Sequence, residues 1–305
     1  MNSNLKISII IITYNRPDDM LDLVQNIISL DHKDRLEEVI IVNNKSTADY
    51  KPVEDLLKSH PEMAFKYFIA EENFGVSRGR NFAIQKAKAP ILVFIDDDAL
   101  FKNKDTILQI RNIFSEEKNK DAGIAAFKIY YQSTMNFQKN AFPHKEFEKR
   151  KNLNQFDTYY FSGCAHAIRR SIFETVGDYP ENFFYGMEEY DLSYRTIDKG
   201  FKIIYDDRVT VLHKESPSGR LLNKDKLRGM WVNKTKTAWK YLPKKYFYST
   251  AILWSWQYLR NVGWHLAGWG KGWKEVFSIP SREKKNMISK QALNYLRKVK
   301  ARLWY

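Results

Sequence analysis

The sequence predicts an α/β fold: a mainly parallel sheet with helices on both faces, followed by a helical, basic, aromatic-rich extension. Two observations carry this reading. Short β-branched apolar runs alternate with amphipathic stretches through the first part of the chain, the pattern of strand–helix–strand units. The composition then shifts: residues 1–213 hold 29 Lys/Arg against 32 Asp/Glu, whereas residues 214–305 hold 21 against 4, together with all eight tryptophans. A chain of 305 residues has room for one large domain and an appendage, and the expected division is 1–218 and 219–305. With 44% hydrophobic residues, a wholly disordered chain is excluded.

Lys6–Ile12, Glu38–Val42, Phe65–Ile69 and Ile91–Ile95 read as strands, being short, β-branched and bounded by turn residues. Pro17–Leu30 spaces Met20, Leu23, Val24, Ile27 and Ile28 as a helix does, and Pro17, Asp18 and Asp19 suit its first turn. Ser77–Lys88 and Lys104–Lys118 are the next helices, and residues 132–156 are expected as a surface loop or flexible insertion. The N-terminal apolar run lacks the basic start and cleavage site of a secretory signal, so a buried strand is expected there. Cys164 is the lone cysteine, which excludes an internal disulfide or a thiolate cluster and favours a reducing compartment.

Ligands of parallel α/β sheets bind at the carboxyl ends of the strands. That rule singles out Thr13–Asn15, Asn43–Ser46 and Asp96–Asp98. Three consecutive carboxylates repel one another unless a cation is near, and Mg or Mn takes such oxygen ligands beside substrate phosphates. The plainer alternative is a solvated acidic turn before the next helix.

Five segments in order resemble glycosyltransferase family 2, whose members have the GT-A fold, over roughly residues 5–216. These are SIIIITYNRP, EENFGVSRGRN, FIDDDAL, the stretch FSGCAHAIRRSIFETVGDYPENFFYGMEEYDLSYR, and VTVLHKES. The resemblance is to the enzymes of bacterial cell-surface polysaccharides. It implies an enzyme that moves a sugar from a nucleotide diphosphate sugar to a hydroxyl with inversion, using Mg or Mn. It implies donor contacts from Thr13, Asn15, Asn43, Asn73, Arg80, Asp96 and Asp97. Asp98 is the first metal ligand it implies, with Asp96 as a second and His213 completing the shell. Asp96 has the donor ribose as its alternative partner. His213 has a strand-end hydrogen bond to backbone as its alternative role. Arg80 and Asn81 lie near a helix start that favours phosphate, and Arg80 equally suits a structural carboxylate.

Two positions depart from the family pattern. Asn43 stands where Asp is usual. Its carbonyl still accepts the N3–H of uracil or thymine, so a UDP- or dTDP-sugar is the expected donor, the two not distinguished and GDP left open. Glu188-Glu189 stands where Glu-Asp is usual, which makes Glu189 the expected general base, set back by one methylene, with Glu188 beside it and Asp191 as runner-up.

A nucleotidyltransferase would carry a Gly-rich basic loop near the N-terminus, which ITYNRPDD lacks. A catalytically inactive binding module fits poorly with an intact Asp triplet and acidic pair. The basic, aromatic tail allows a nucleic-acid reading, but no nucleic-acid partner is expected. Tyr246–Leu259 is uncharged yet too short for the ~20 residues of a membrane span. Interfacial Trp and Tyr with flanking Lys/Arg point instead to peripheral attachment at an anionic membrane, on the cytoplasmic face. Packing of these aromatics on the catalytic domain is the alternative. The acceptor is expected to be a glycan or lipid-linked.

Overall fold

A computed structural model of the protein describes residues 5–218 and 223–304. The expected division at 218/219 therefore borders residues outside the described ones. The chain opens with β1 (Ile7–Thr13), α1 (Pro17–Ile28), β2 (Leu36–Asn43), α2 (Lys51–Lys58), β3 (Phe65–Ile69), α3 (Gly75–Lys86) and β4 (Ile91–Ile95). It continues through β5 (Ala99–Phe101), α4 (Thr106–Ser115), β6 (Ala122–Tyr131), α5 (Phe147–Arg150), β7 (Gln155–Thr158), β8 (Ala165–Arg169), α6 (Arg170–Val176), α7 (Glu188–Asp198) and β9 (Lys202–His213). Four helices follow: α8 (Asn223–Tyr241), α9 (Lys244–Asn261), α10 (Leu266–Arg282) and α11 (Lys290–Lys298).

The described strands form one nine-stranded sheet in the order β3-β2-β1-β4-β8-β6-β9-β5, with β7 also paired to β9. The expected parallel frame is β3-β2-β1-β4; antiparallel pairs enter where β8 meets β4 and β6. Alternation sorts the side chains. Ile7, Ile9 and Ile11 of β1 join Val39, Ile41, Ile91 and Val93 under α1, α2 and α4. Ile10, Ile40, Val42, Leu92 and Phe94 face the other layer, with Ala83 of α3 and Leu192 of α7. Pro17 opens α1, and Met20, Leu23, Val24 and Ile27 are its buried positions. The register sets Thr13 opposite Asn43, so the β1 and β2 loops leave the sheet side by side.

Two expectations change here. Residues 132–156 are not a loose insertion, because Phe137, Phe142 and Phe147 pack edge-on around one another at 5.1–5.4 Å, with Phe142 against Tyr205. The aromatic tail also divides. Trp231, Phe247, Tyr258 and Val276 of α8–α10 build a separate cluster, while Ala238, Tyr241, Tyr246, Ala292 and Leu296 enter the core beneath α7. The packing alternative therefore accounts for much of the tail.

Candidate active site

The three strand-end loops and the start of α7 enclose a cleft of about 660 Å³. Asn15, at φ 56°, lies on its wall; its Oδ1 accepts from the amides of Thr47 (2.8 Å) and Ala48 (3.1 Å) and so ties the β1 loop to the β2 loop. Thr13 Oγ1 and Tyr50 Oη are 2.6 Å apart. Asn43 does not reach the wall. Its Oδ1 accepts from the Ser46 amide (2.8 Å) and its Nδ2 donates to Tyr67 Oη (2.7 Å). The side chain expected to read the base is thus spent on shaping its own loop, and Asn44 lines the cleft instead. Asn73 is also on the wall and accepts from the Gly75 amide at 2.9 Å, fixing the entry to α3.

All three aspartates after β4 face the cleft. Asp97 and Asp98 are buried, and Asp96 is the open one, its side chain 41% exposed. Arg16, which no sequence pattern singles out, donates to Asp97 Oδ1 at 2.7 Å and lies 3.2 Å from Asp98 Oδ2. Burial pushes the Asp97 carboxyl up to about 6 against the pull of Arg16. Asp98 Oδ2 also accepts from the Ser216 amide (2.9 Å), and its Oδ1 is 3.3 Å from His213 Nε2. Ligand atoms of Asp96, Cys164 and His213 lie within 4.8 Å of one another. Burial raises the Cys164 thiol, keeping it protonated and a poor ligand. Burial also opposes charge on the His213 imidazole and the nearby Asp98 carboxylate favours it, the balance lying above the usual imidazole value. A cation at this place would compete with that proton. The carboxylate and imidazole set suits Mg or Mn.

Across the cleft, Gly186 (φ 79°) and Met187 (φ 72°) turn the chain so that the first residues of α7 point inward. Glu188 and Glu189 are both buried on the wall. Arg80 lies between them and the aspartates: Nη1 donates to Glu188 Oε1 at 3.0 Å and is 3.8 Å from Glu189, and Nη2 is 3.6 Å from Asp96. Of its two expected roles, the carboxylate partner is the one seen. Burial raises the Glu189 carboxyl well above its usual range; Glu188 adds to this and Arg80 opposes it. Asp191, the runner-up base, turns away from the cleft. Its carboxylate accepts from Arg195 Nε (2.7 Å), Lys240 Nζ (2.6 Å) and Tyr241 Oη (2.9 Å), so it has a structural role.

Gly163 leaves space for this centre. A Cβ there would collide with Glu189 Oε1 and lie 3.3 Å from Arg80 Nη2. Gly163→Ala is therefore expected to displace the Glu189 carboxylate and lower turnover about 10²-fold, the scale of a 1 Å misplacement. Steady-state kinetics beside a melting curve test this, and a variant with full turnover would remove Gly163 from the site.

A sheet of this order, with an acidic strand end facing buried carboxylates, is that of the GT-A fold. Residues 8–177 match the model of glycosyl transferase family 2, and the chain belongs to that family. An uncharacterized protein of Haemophilus influenzae is 30% identical over 181 residues, 59% of this chain and 95% of that protein. The O-antigen chain rhamnosyltransferase WbaN of Salmonella anatum is 26% identical over 197 residues, 60% of this chain and 58% of its own length. In fold, the chain resembles a mannosyltransferase of Pyrobaculum calidifontis solved with GDP-Man and Mn2+, with a TM-score of 0.59 at 18% identity over 97% of this chain and 80% of that one. The protein is a glycosyltransferase.

Proposed function

We propose that this enzyme transfers a sugar, with inversion, from a nucleotide diphosphate sugar to a hydroxyl of a glycan or lipid-linked acceptor, and that it needs Mg or Mn. The observation that carries this reading is Arg80, which links the acidic strand end to Glu188 and Glu189 within one cleft. Glu189 takes the proton of the acceptor hydroxyl as the new bond to the anomeric carbon forms and the sugar–phosphate bond breaks. Glu188 holds Arg80 in place. Asp98, Asp96 and His213 would hold the metal, which when bound supplies electrostatic stabilisation to the departing diphosphate. Thr13, Asn15, Asn73, Asp96 and Asp97 line the donor half. A polysaccharide acceptor is supported by the name of WbaN, an O-antigen chain rhamnosyltransferase. Incubation with a panel of nucleotide sugars tests the reading. One nucleotide sugar of the panel is expected to be hydrolysed with Mg or Mn and spared in EDTA; hydrolysis that persists in EDTA ends the metal reading.

Catalysis then belongs to residues 1–218, and attachment to the cytoplasmic face of an anionic membrane to 219–305. Among the described residues no helix is long and apolar enough to cross a membrane. On α9, Lys244, Tyr248, Ile252, Trp256 and Arg260 recur every fourth residue and all are exposed, giving an apolar stripe with basic ends. Trp264, Leu266 and Phe277 are exposed as well, at 57%, 64% and 74%. Such a surface suits aromatic insertion at headgroup depth with lysine and arginine on anionic lipid. The full chain is expected to float with anionic vesicles at low salt and to be released at high salt. Ile252→Ser/Trp256→Ser should abolish flotation while leaving transfer to a soluble acceptor unchanged. Equal flotation of that variant would exclude the α9 stripe.

A further inference from the structure

His213 is held from behind by a residue of the segment after β6. Gln138 is 2% exposed and its side chain touches two groups. Oε1 lies 2.9 Å from His213 Nδ1, and Nε2 donates to Glu215 Oε1 at 2.9 Å. The backbone fixes the residue on both sides: the Gln138 amide donates to the Ile129 carbonyl (2.9 Å), and its carbonyl accepts from the Ala141 amide (3.0 Å). The neighbouring Phe137 ring is wedged against Phe142 and Phe147. This anchorage makes Gln138 a rigid support and not a passing surface contact.

The chemistry of the three groups sets the direction of each bond. Glu215 accepts from the NH2 end of the Gln138 amide. The amide oxygen must then face the imidazole, and an amide oxygen only accepts. Nδ1 of His213 is therefore the nitrogen that carries a hydrogen, donated to Gln138 Oε1. That leaves the Nε2 lone pair available, and Nε2 points at Asp98 Oδ1, 3.3 Å away, within the cluster that includes Asp96. Metal-binding histidines are commonly fixed in this way by a partner on the other ring nitrogen.

We infer that Gln138, oriented by Glu215, is a positioning residue that selects the His213 tautomer and presents Nε2 to the divalent cation. The inference rests on the metal reading above. Mn2+ affinity, measured by calorimetry on the full chain with UDP present, tests it without reference to turnover. Gln138→Leu fills a similar volume but offers no acceptor to Nδ1, and is expected to weaken Mn2+ about 10–100-fold. Gln138→Glu alone sets two carboxylates face to face and is expected to weaken it too. The exchanged pair Gln138→Glu/Glu215→Gln keeps an acceptor for Nδ1 and restores the bond between 138 and 215 with its direction reversed, residue 215 now donating, and is expected to bind Mn2+ within a few-fold of the parent. A melting curve on the same variants separates a purely structural role, which would lower the melting temperature in step with Mn2+ affinity. Unchanged affinity in Gln138→Leu overturns the inference. So does an exchanged pair as weak as Gln138→Glu, a comparison that holds even if Gln138→Leu fails to fold. A parent protein that binds no Mn2+ removes the metal reading itself, a separate outcome from either.

Discussion

Glu189→Gln is expected to lower turnover by about 10²–10⁴-fold, the usual contribution of a general base, while donor affinity changes little. Gln keeps the size and hydrogen bonding of the side chain and removes the proton acceptor. The pH dependence gives a second readout. Burial raises the Glu189 carboxyl well above its ordinary 4.5, with Glu188 next in effect and Arg80 opposing, so the parent rate should climb as pH rises through that raised value. Stability should run the other way. A carboxyl with a raised native value holds its proton more tightly when folded, so its contribution is fully present below pH 4.5 and is lost as pH rises through the native value. Glu189→Gln carries no such loss, and its melting temperature should gain on the parent toward alkaline pH. If Glu188→Gln is inactive and Glu189→Gln retains parental turnover, the base has to be reassigned.

Asp98→Asn is expected to abolish metal-dependent donor binding and transfer. Asp98 is the aspartate placed against Arg16, His213 and the Ser216 amide together, so its loss touches both the metal set and the strand end of β9. The amide oxygen of Asn still accepts from Ser216, which makes this variant gentler on the fold than Asp98→Ala. The latter leaves Arg16 and His213 facing a void. Titration of Mn2+ and UDP by calorimetry checks the prediction. Transfer by Asp98→Asn at the parental rate in EDTA would exclude the metal role.

What is legible in the sequence follows the range of the forces involved. Strand ends fixed by local pattern fall close to expectation: Phe65–Ile69 and Ile91–Ile95 coincide with β3 and β4. The antiparallel half is harder to read. β8 is the five-residue AHAIR, with two alanines, and it becomes a strand by pairing with β4 and β6. The acidic strand end and the Glu188-Glu189 pair are visible because each is a local cluster of charge. Asp191 is held by partners distant in sequence, Lys240 and Tyr241, and Asn43 by the distant Tyr67 together with a turn that gives its oxygen to the Ser46 amide. Gln138 and Gly163 give no signal, since one lies in a segment rich in Lys and Asn and the other matters only for the side chain it lacks. The phenylalanines at 137, 142 and 147 are the available hint that residues 132–156 are packed.

Asp191 lies two residues after Glu189 in the first turns of α7, and three donors hold it: Arg195 from its own helix, and Lys240 and Tyr241 from the end of α8. This limits how the tail can be exchanged between relatives. A chimera that grafts a foreign C-terminal region onto this catalytic half must bring an amine and a hydroxyl at two adjacent positions. Without them it leaves a buried carboxylate short of two partners, two residues from Glu189. A tail can replace this one only as far as it fits α7, however well it suits its own surface.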